Sequence, residues 1–318
     1  MKKLLYIIPL ILLLTLLAAC GAPEETTAPE ETTATPAETT ANPASDFEYK
    51  FTANKKYVII TKYIGKSTKI VIPSEIEGCP VVSLIGSAVD GFIQGVFQDT
   101  DVETVVIPET VEVIGNRTFK NCTALSFVAL QPNSELHTIC TEAFENCLSL
   151  KSFDIENAES LKTIEAKAFY NCESIEKIKF PSNLETIGKE AFSNCSALKS
   201  VNIPTKLNMM NPDGSRFRNI PALEEITFDD GWQHIRGYVF FSITSTVTIT
   251  IPKGVESIGA PIFANAGTMN ICFLGDCPKL LDADSFAGDV TIYYDPAKSG
   301  WDTTVLNDFH TLKPISER

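Results

Sequence analysis

Histidine and positive charge are both scarce in this sequence, and each scarcity argues against a class of function. The chain of 318 residues has only three histidines beside its nine cysteines, which leaves few nitrogen ligands for a metal ion. Lysine and arginine number 26 against 40 aspartates and glutamates, a formal net charge of -14 at pH 7. Because nucleic acids and anionic membrane surfaces attract basic proteins, we expect neither as a direct partner.

Motifs that carry catalysis or metal binding are absent as well. The sequence contains no C-x-x-C, H-E-x-x-H or G-x-S-x-G spacing and no glycine-rich phosphate loop. His137, His234 and His310 are dispersed along the chain. We therefore predict no catalytic residue, no metal and no cofactor, and we do not expect an enzyme.

Residues 1–20 are almost wholly apolar and have the pattern of a secretory leader. Two lysines follow the first methionine, and the apolar stretch contains a proline and is shorter than the about 20 residues of a membrane-spanning helix. Its end, Leu-Ala-Ala-Cys with the cysteine at Cys20, resembles the lipobox of bacterial lipoproteins. That resemblance implies cleavage before Cys20, a lipid on its sulfur, and an extracytoplasmic location on the outer face of the bacterial cell membrane. An ordinary signal peptide with an incidental cysteine is the alternative.

Residues 21–45 have the composition of a disordered tether. They hold seven threonines, five glutamates and four prolines, with no aromatic and no basic residue. Such a segment cannot bury enough apolar area to offset the entropy of ordering. A flexible coil of this length spans roughly 25–30 Å, so the folded part is expected close to the membrane.

A repeat of 23 or 25 residues begins near residue 69 and is the strongest signal in the sequence. Its most regular phrase is Ala-Phe-x-Asn-Cys, and its phenylalanine recurs at Phe119, Phe144, Phe169, Phe192 and Phe217 and continues as Phe240, Phe263 and Phe286. A second apolar column, half a period out of phase, contains Ile72, Ile107, Leu130, Ile155, Phe180, Ile203, Phe228, Ile251, Phe273 and Tyr294. Periods of 20–29 residues with one short strand each are typical of leucine-rich-repeat solenoids. We predict a β-rich, right-handed stack of coils with about ten short parallel strands, capped at both ends.

One unit, residues 175–197, shows what each position is expected to do. Alternation along the strand directs Phe180 inward, and Phe192 is expected to fill the centre of the coil. Gly188 is expected to permit a turn. Asn194 recurs in the other units two residues after the phenylalanine, which suggests a buried amide ladder that satisfies backbone groups of adjacent coils.

Four of the nine cysteines occupy one position of the repeat. Parallel side chains on adjacent coils suit disulfide geometry poorly, and an isoleucine, Ile220, takes the same position in one unit. We therefore predict buried free thiols in this column, which contains Cys122, Cys147, Cys172 and Cys195. For Cys272 and Cys277, which have four residues between them, a disulfide remains possible.

These units resemble those of the BspA-like leucine-rich-repeat family, bacterial surface proteins with the pattern L-x-x-I-x-I-P…I-G-x-x-A-F-x-N-C, over residues 47–301. The resemblance implies adhesion or binding at the cell surface, with partners that differ between members. We divide the solenoid domain, 46–318, into an N-terminal cap (46–68), repeats (69–294) and a C-terminal cap (295–318). Residues 211–214 insert a turn in one unit, but both columns stay in register.

A ligand is expected on the strand-lined face, at positions that alternate with the inward ones. There Val106, Phe127 and Ala129 form a predicted apolar cluster on two adjacent strands, and Asp154, Lys177 and Lys179 add charge beside it. Alternatively, Phe127 is covered by the N-terminal segment or merely tolerated.

The leading hypothesis is a monomeric, lipid-anchored, non-catalytic surface protein that binds a protein or glycan. An architectural envelope protein without a specific ligand is the runner-up. A transporter-associated solute-binding lipoprotein is a third, less favoured, since the long helical patterns of two α/β lobes are not found after the leader.

Overall fold

The computed structural model describes residues 40–208, 216–236, 240–241, 243, 245–259, 263–264, 267–281, 286, 289–302 and 311–318. The leader with Cys20, most of the tether, the turn at 211–214, Asn265 and Phe309 therefore lie outside the described residues. Within the described part of the chain, no helix is long and apolar enough to cross a membrane.

Short strands account for nearly all the regular structure. The N-terminal part contains β1 (Phe47–Phe51), β2 (Val58–Tyr63), β3 (Lys69–Val71), β4 (Glu75–Ile76), β5 (Cys79–Leu84), β6 (Ala88–Val89) and β7 (Phe92–Ile93). The regular repeats contain β8 (Thr104–Ile107), β9 (Val113–Ile114), β10 (Phe127–Leu130), β11 (Thr138–Ile139), β12 (Ser152–Phe153), β13 (Thr163–Ile164), β14 (Lys177–Ile178), β15 (Thr186–Ile187) and β16 (Ser200–Ile203). The remaining strands are β17 (Phe217–Arg218), β18 (Glu225–Phe228), β19 (His234–Arg236), β20 (Phe240–Phe241), β21 (Val247–Ile251), β22 (Ser257–Gly259), β23 (Phe263–Ala264), β24 (Met269–Phe273), β25 (Leu280–Leu281), β26 (Val290–Tyr294) and β27 (Thr311–Pro314). The described residues also contain two 3-10 turns, Ala44–Asp46 and Ile315–Glu317.

The predicted strand column forms the front face of a solenoid, and the fold prediction is confirmed. One strand per coil pairs in parallel with the next, in two sheets, β3-β8-β10-β12 and β14-β16-β18-β21-β24-β26-β27. The inward residues of this front face are buried, as alternation requires; they include Val105, Val128, Phe153, Ile178, Val201, Ile226, Ile249, Ile271 and Ile292.

The return side contains further strands that the sequence analysis did not predict. Thr-Ile pairs in β11, β13 and β15 and the Val-Ile pair in β9 make parallel ladders of two residues each, which join these strands into one sheet with β5. In the C-terminal half, β19, β22 and β25 form a separate parallel sheet, and so do β17, β20 and β23. A strand of two residues is too short to show an alternating pattern of apolar and polar residues in the sequence. Only its hydrogen bonds to the neighbouring coil identify it as a strand.

A column of stacked phenylalanine rings fills the centre of the coils. Neighbouring rings lie 4.9–5.3 Å apart with planes within 4–14° of parallel. The column contains the predicted Phe119, Phe144, Phe169, Phe192 and Phe217, and it starts one coil earlier, at Phe97. The sequence analysis missed Phe97 because its phrase reads Val-Phe-x-Asp instead of Ala-Phe-x-Asn.

The predicted asparagine ladder exists, but its chemistry differs from the prediction. The asparagines are half-buried or exposed, and their amides bond to each other: Asn146 Nδ2 donates to Asn121 Oδ1 at 2.7 Å and Asn171 Nδ2 to Asn146 Oδ1 at 3.0 Å. Asp99 begins the ladder by accepting from Asn121 at 2.7 Å. These residues also have φ near 60°, a conformation that asparagine tolerates better than most residues.

The cysteine column is buried and free of disulfides, as predicted. Each thiol donates to the backbone oxygen of a phenylalanine in the preceding coil, for example Cys147 Sγ to Phe119 O at 3.1 Å and Cys172 Sγ to Phe144 O at 3.1 Å. Burial raises the pKa of Cys195 to about 12 and that of Cys122 to about 11. These thiols therefore behave as small core residues rather than nucleophiles.

The N-terminal end of the solenoid is covered by a hairpin and by the last residues of the predicted tether. β1 pairs antiparallel with β2, which continues the return sheet through β5. Asn42 bonds twice to β3, since its backbone N–H donates to Val71 O and its Oδ1 accepts from Val71 N, each at 2.8 Å. The folded domain therefore includes residues before 46, the boundary expected from composition.

The C-terminal end differs from a simple cap. β27, within residues expected to form the cap, adds a further parallel strand to the front face through β26. Trp301 is buried there, its Nε1 donating to Gly275 O at 3.2 Å.

Candidate ligand face

Strand register arranges the outward side chains of the front face in rows. Phe127 pairs with Thr104 on one side and Ser152 on the other, so these three side chains lie side by side. In the second front sheet, Lys177, Ser200 and Glu225 are aligned in the same way. The register predicted from the repeat is the one observed.

The apolar half of the candidate face comes together as expected. Val106 pairs directly with Ala129, and both are half-buried. Phe127, two residues before Ala129 on the same strand, keeps 42% of its surface exposed. The described residues, among them the N-terminal segment from residue 40, leave this part of the side chain accessible.

A break in the front face separates Lys177 and Lys179 from the apolar half, whereas Asp154 follows a strand of the same sheet as the apolar half. Among the described residues, no ladder joins β12 to β14, the strands on either side of the break. Asp154, Lys177 and Lys179 are all exposed, but Asp154 follows the end of β12 and Lys179 follows the end of β14. The structure therefore distributes the six predicted ligand-face residues over two sheets and the residues that directly follow their strands.

A depression of about 600 Å³ opens at this break. It extends over the four strands β12, β14, β16 and β18 and the residues that follow them. Its polar lining consists of Ser152, Asp154, Glu156, Lys177, Lys179, Ser200, Asn202, Glu225, Thr227 and Asp229.

Asn202 lies under the depression and is buried, although strand alternation gives it an outward position. Only 8% of its surface is accessible. β14 ends at Ile178, and beyond that point the side-chain amide of Asn202 bonds to the backbone of the preceding coil, as a paired strand would have done. Its Oδ1 accepts from Phe180 N at 2.6 Å, and its Nδ2 donates to Phe180 O at 3.1 Å. A buried amide with both ends bonded makes the floor of the depression rigid.

Asp229 is a lining residue that sequence reasoning missed. It follows β18 at a position that is proline in several other units, and both its carboxylate oxygens accept from Asn202 Nδ2, at 3.1 and 3.2 Å. Burial raises the pKa of Asp229, although the bond from Asn202 and the charge of Lys179 act in the opposite direction. The substitution of an acidic residue for proline was the sequence signal that could have revealed it.

Ion pairing leaves several charges of the depression uncompensated. Lys179 contacts Glu156 in an exposed ion pair. In the described part of the chain, Asp154, Lys177, Glu225 and Asp229 form no ion pair within 4 Å. The described residues also contain no group of three or more histidines, cysteines or carboxylates that could hold a metal ion.

Stacked parallel coils, each with a front strand and a buried phenylalanine, define this protein as a leucine-rich-repeat solenoid. Residues 92–214 and 213–291 match the BspA type leucine rich repeat region, with six copies of the repeat. The chain belongs to this family.

Several solved structures resemble the chain. A leucine rich repeat protein from T. pallidum is 30% identical, with 59% of this chain and 86% of that chain covered and a TM-score of 0.48. A leucine-rich repeat protein from Bacteroides ovatus is 20% identical, with 81% and 71% covered and a TM-score of 0.50. A leucine rich cell surface protein from Faecalibacterium prausnitzii is 19% identical, with 84% and 97% covered and a TM-score of 0.46. No curated protein matches the chain.

Proposed function

We propose that this protein is a non-catalytic binding protein, anchored by lipid at Cys20 to the outer face of a bacterial membrane, whose front face holds a protein or glycan ligand. The observation that carries the proposal is the exposed ring of Phe127 on an ordered sheet, one strand away from a charged depression. The resemblance of residues 17–20 to a lipobox supports the anchor.

The energetics of burial favour a binding role for Phe127. An exposed aromatic ring on a rigid β-face loses little conformational entropy when a partner covers it, and aromatic residues are enriched at interface centres. Val106 and Ala129 extend the apolar area, while the charges of Asp154 and Lys177 lie beyond it. An apolar centre with a polar rim is the usual anatomy of a protein interface.

Substitutions on the front face are expected to alter ligand binding without unfolding the protein. Bacteria displaying the full chain would be tested on a panel of purified matrix proteins and surface polysaccharides. Phe127→Ala is expected to reduce binding to the panel member that the wild type holds by about tenfold, the effect of losing roughly 1.4 kcal/mol at an interface. Lys177→Glu is expected to change binding to that panel member in the direction set by the charge of the ligand, since it reverses a charge beside the apolar cluster.

The matched control is Lys162→Glu, which makes the same charge change at an exposed position before β13 on the return side. It is expected to bind like the wild type. Binding that neither front-face substitution changes, with unchanged melting temperature, would place the site elsewhere on the solenoid.

The anchor has its own test. In Cys20→Ala, the thiol that would carry the lipid is absent, so labelling with a radioactive fatty acid should disappear and the protein should leave the detergent phase. Cys79→Ala, which removes a half-buried thiol of the folded domain, is the control and should keep the label. Equal labelling of Cys20→Ala and wild type would refute lipid attachment.

A further inference from the structure

We propose that the depression at the break between β12 and β14 is a binding site for a basic side chain, arginine or lysine, of an extended peptide segment. The inference rests in part on the proposed function, since it names the chemistry of one ligand of the same face. It goes beyond the proposed function because it assigns a second binding site, separate from the apolar cluster at Phe127.

The charges that line the depression favour a cation. Four carboxylates, Asp154, Glu156, Glu225 and Asp229, stand against the ammonium groups of two lysines. The ion pair with Lys179 neutralises Glu156. This leaves three carboxylates and a single free ammonium group, that of Lys177, so that a bound cation would improve the balance of charge.

Asp229 is the residue that gives the site its specificity for a cation. Its carboxylate is half-buried. Lys179 is the positive charge that stabilises the ionised carboxylate of Asp229, but its ammonium group is already paired with Glu156. Burial therefore disfavours the ionised form, which raises the pKa of Asp229. A guanidinium or ammonium group placed beside it would supply the missing counter-charge in a partly desolvated place, where charge-assisted hydrogen bonds are strong.

The floor of the depression is preorganised for this contact. Asn202 holds Asp229 through both carboxylate oxygens and is itself fixed by two bonds to the backbone of Phe180. The carboxylate cannot rotate away without breaking these bonds. A ligand would therefore bind an acceptor that is already in place, which lowers the entropic cost of association.

The dimensions of the site suit a short extended peptide. Neighbouring strands lie about 4.8 Å apart, so the path from β12 to β18 measures roughly 14 Å, the length of about four extended residues. Outward hydroxyl groups of Ser152, Ser200 and Thr227 line this path and can bond to a peptide backbone. Because Phe127 is the strand neighbour of Ser152, an apolar residue of the same peptide can reach its ring.

The test is selection of a phage-displayed random hexapeptide library on the detergent-solubilised full chain. We expect enrichment of peptides that carry arginine or lysine. An enriched peptide would then be synthesised with capped ends, and its affinity would be measured by fluorescence anisotropy beside a copy in which citrulline replaces arginine. Citrulline has the shape of arginine without its charge, so its peptide should bind at least about tenfold more weakly.

Two variants locate the contact. Glu225→Gln and Asp229→Asn keep the shape of the side chain and remove its charge, and each should weaken binding of the arginine peptide by about tenfold while leaving the citrulline peptide unchanged. Glu185→Gln removes the same charge from an exposed position beside β15 on the return side and should bind like the wild type. Melting temperatures of all variants report whether the fold is intact, and Glu225→Gln tests the site even if Asp229→Asn disturbs Asn202.

The possible outcomes separate this proposal from the proposed function. Enrichment of acidic or uncharged peptides, no enrichment at all, or equal binding of the arginine and citrulline peptides would overturn the basic subsite. Binding to matrix proteins or polysaccharides that depends on Phe127 would still stand in that case. Conversely, charge-dependent peptide binding with no binding to the panel would support the subsite and refute the broader ligand face.

Discussion

Phe169→Ala is expected to lower the free energy of unfolding by about 3–5 kcal/mol. Its ring lies between those of Phe144 and Phe192, 5.0 Å from each, and is fully buried. Truncation would leave a cavity at the centre of the stack that the rigid neighbouring coils cannot close. Urea unfolding of the purified protein, followed by circular dichroism, measures the change.

Lys177→Ala is the control for that experiment, because the lysine is exposed and forms no ion pair within the described residues. Its truncation should change the free energy of unfolding by less than about 0.5 kcal/mol. If the two variants lost similar stability, the phenylalanine column would not be the core of the solenoid.

Gly188→Ala is expected to cost about 1–3 kcal/mol, because no room exists for the added methyl group. A Cβ atom at this position would lie 2.4 Å from Ala166 N and 2.5 Å from Glu165 C, both backbone atoms of the preceding coil. The expected role of Gly188, freedom to form a turn, is therefore wrong: its φ is not in the left-handed region, and close approach of two coils is what requires glycine.

Gly259→Ala offers a matched control at the end of β22. Among the described residues other than its chain neighbours, no atom lies within 4 Å of its added Cβ, and its φ is also outside the left-handed region. Thermal unfolding should show a markedly lower melting temperature for Gly188→Ala and little change for Gly259→Ala. Similar melting temperatures would mean that the coils can separate at low cost.

The candidate face shows where sequence reasoning succeeds and where it stops. The outward positions of Phe127 and Lys177 follow from strand alternation, which is a local property of the backbone. Asn202 occupies an equivalent position and yet is buried, because the strand of the preceding coil ends early and leaves the backbone of Phe180 to be satisfied. A repeat pattern carries no information about where a ladder breaks.

The sequence by itself determined the repeat, the inward and outward positions of each front strand, the phenylalanine column and the buried thiols. All of these depend on periodicity, since a residue type that recurs once per coil must meet its own copy in the next coil. Only the tertiary structure decided the return sheets, the break between β12 and β14, and the pairing of Asn202 with Asp229. These features arise from contacts between residues of different repeats at positions where the repeats differ, and the energy of such a contact depends on both partners and on the backbone that separates them.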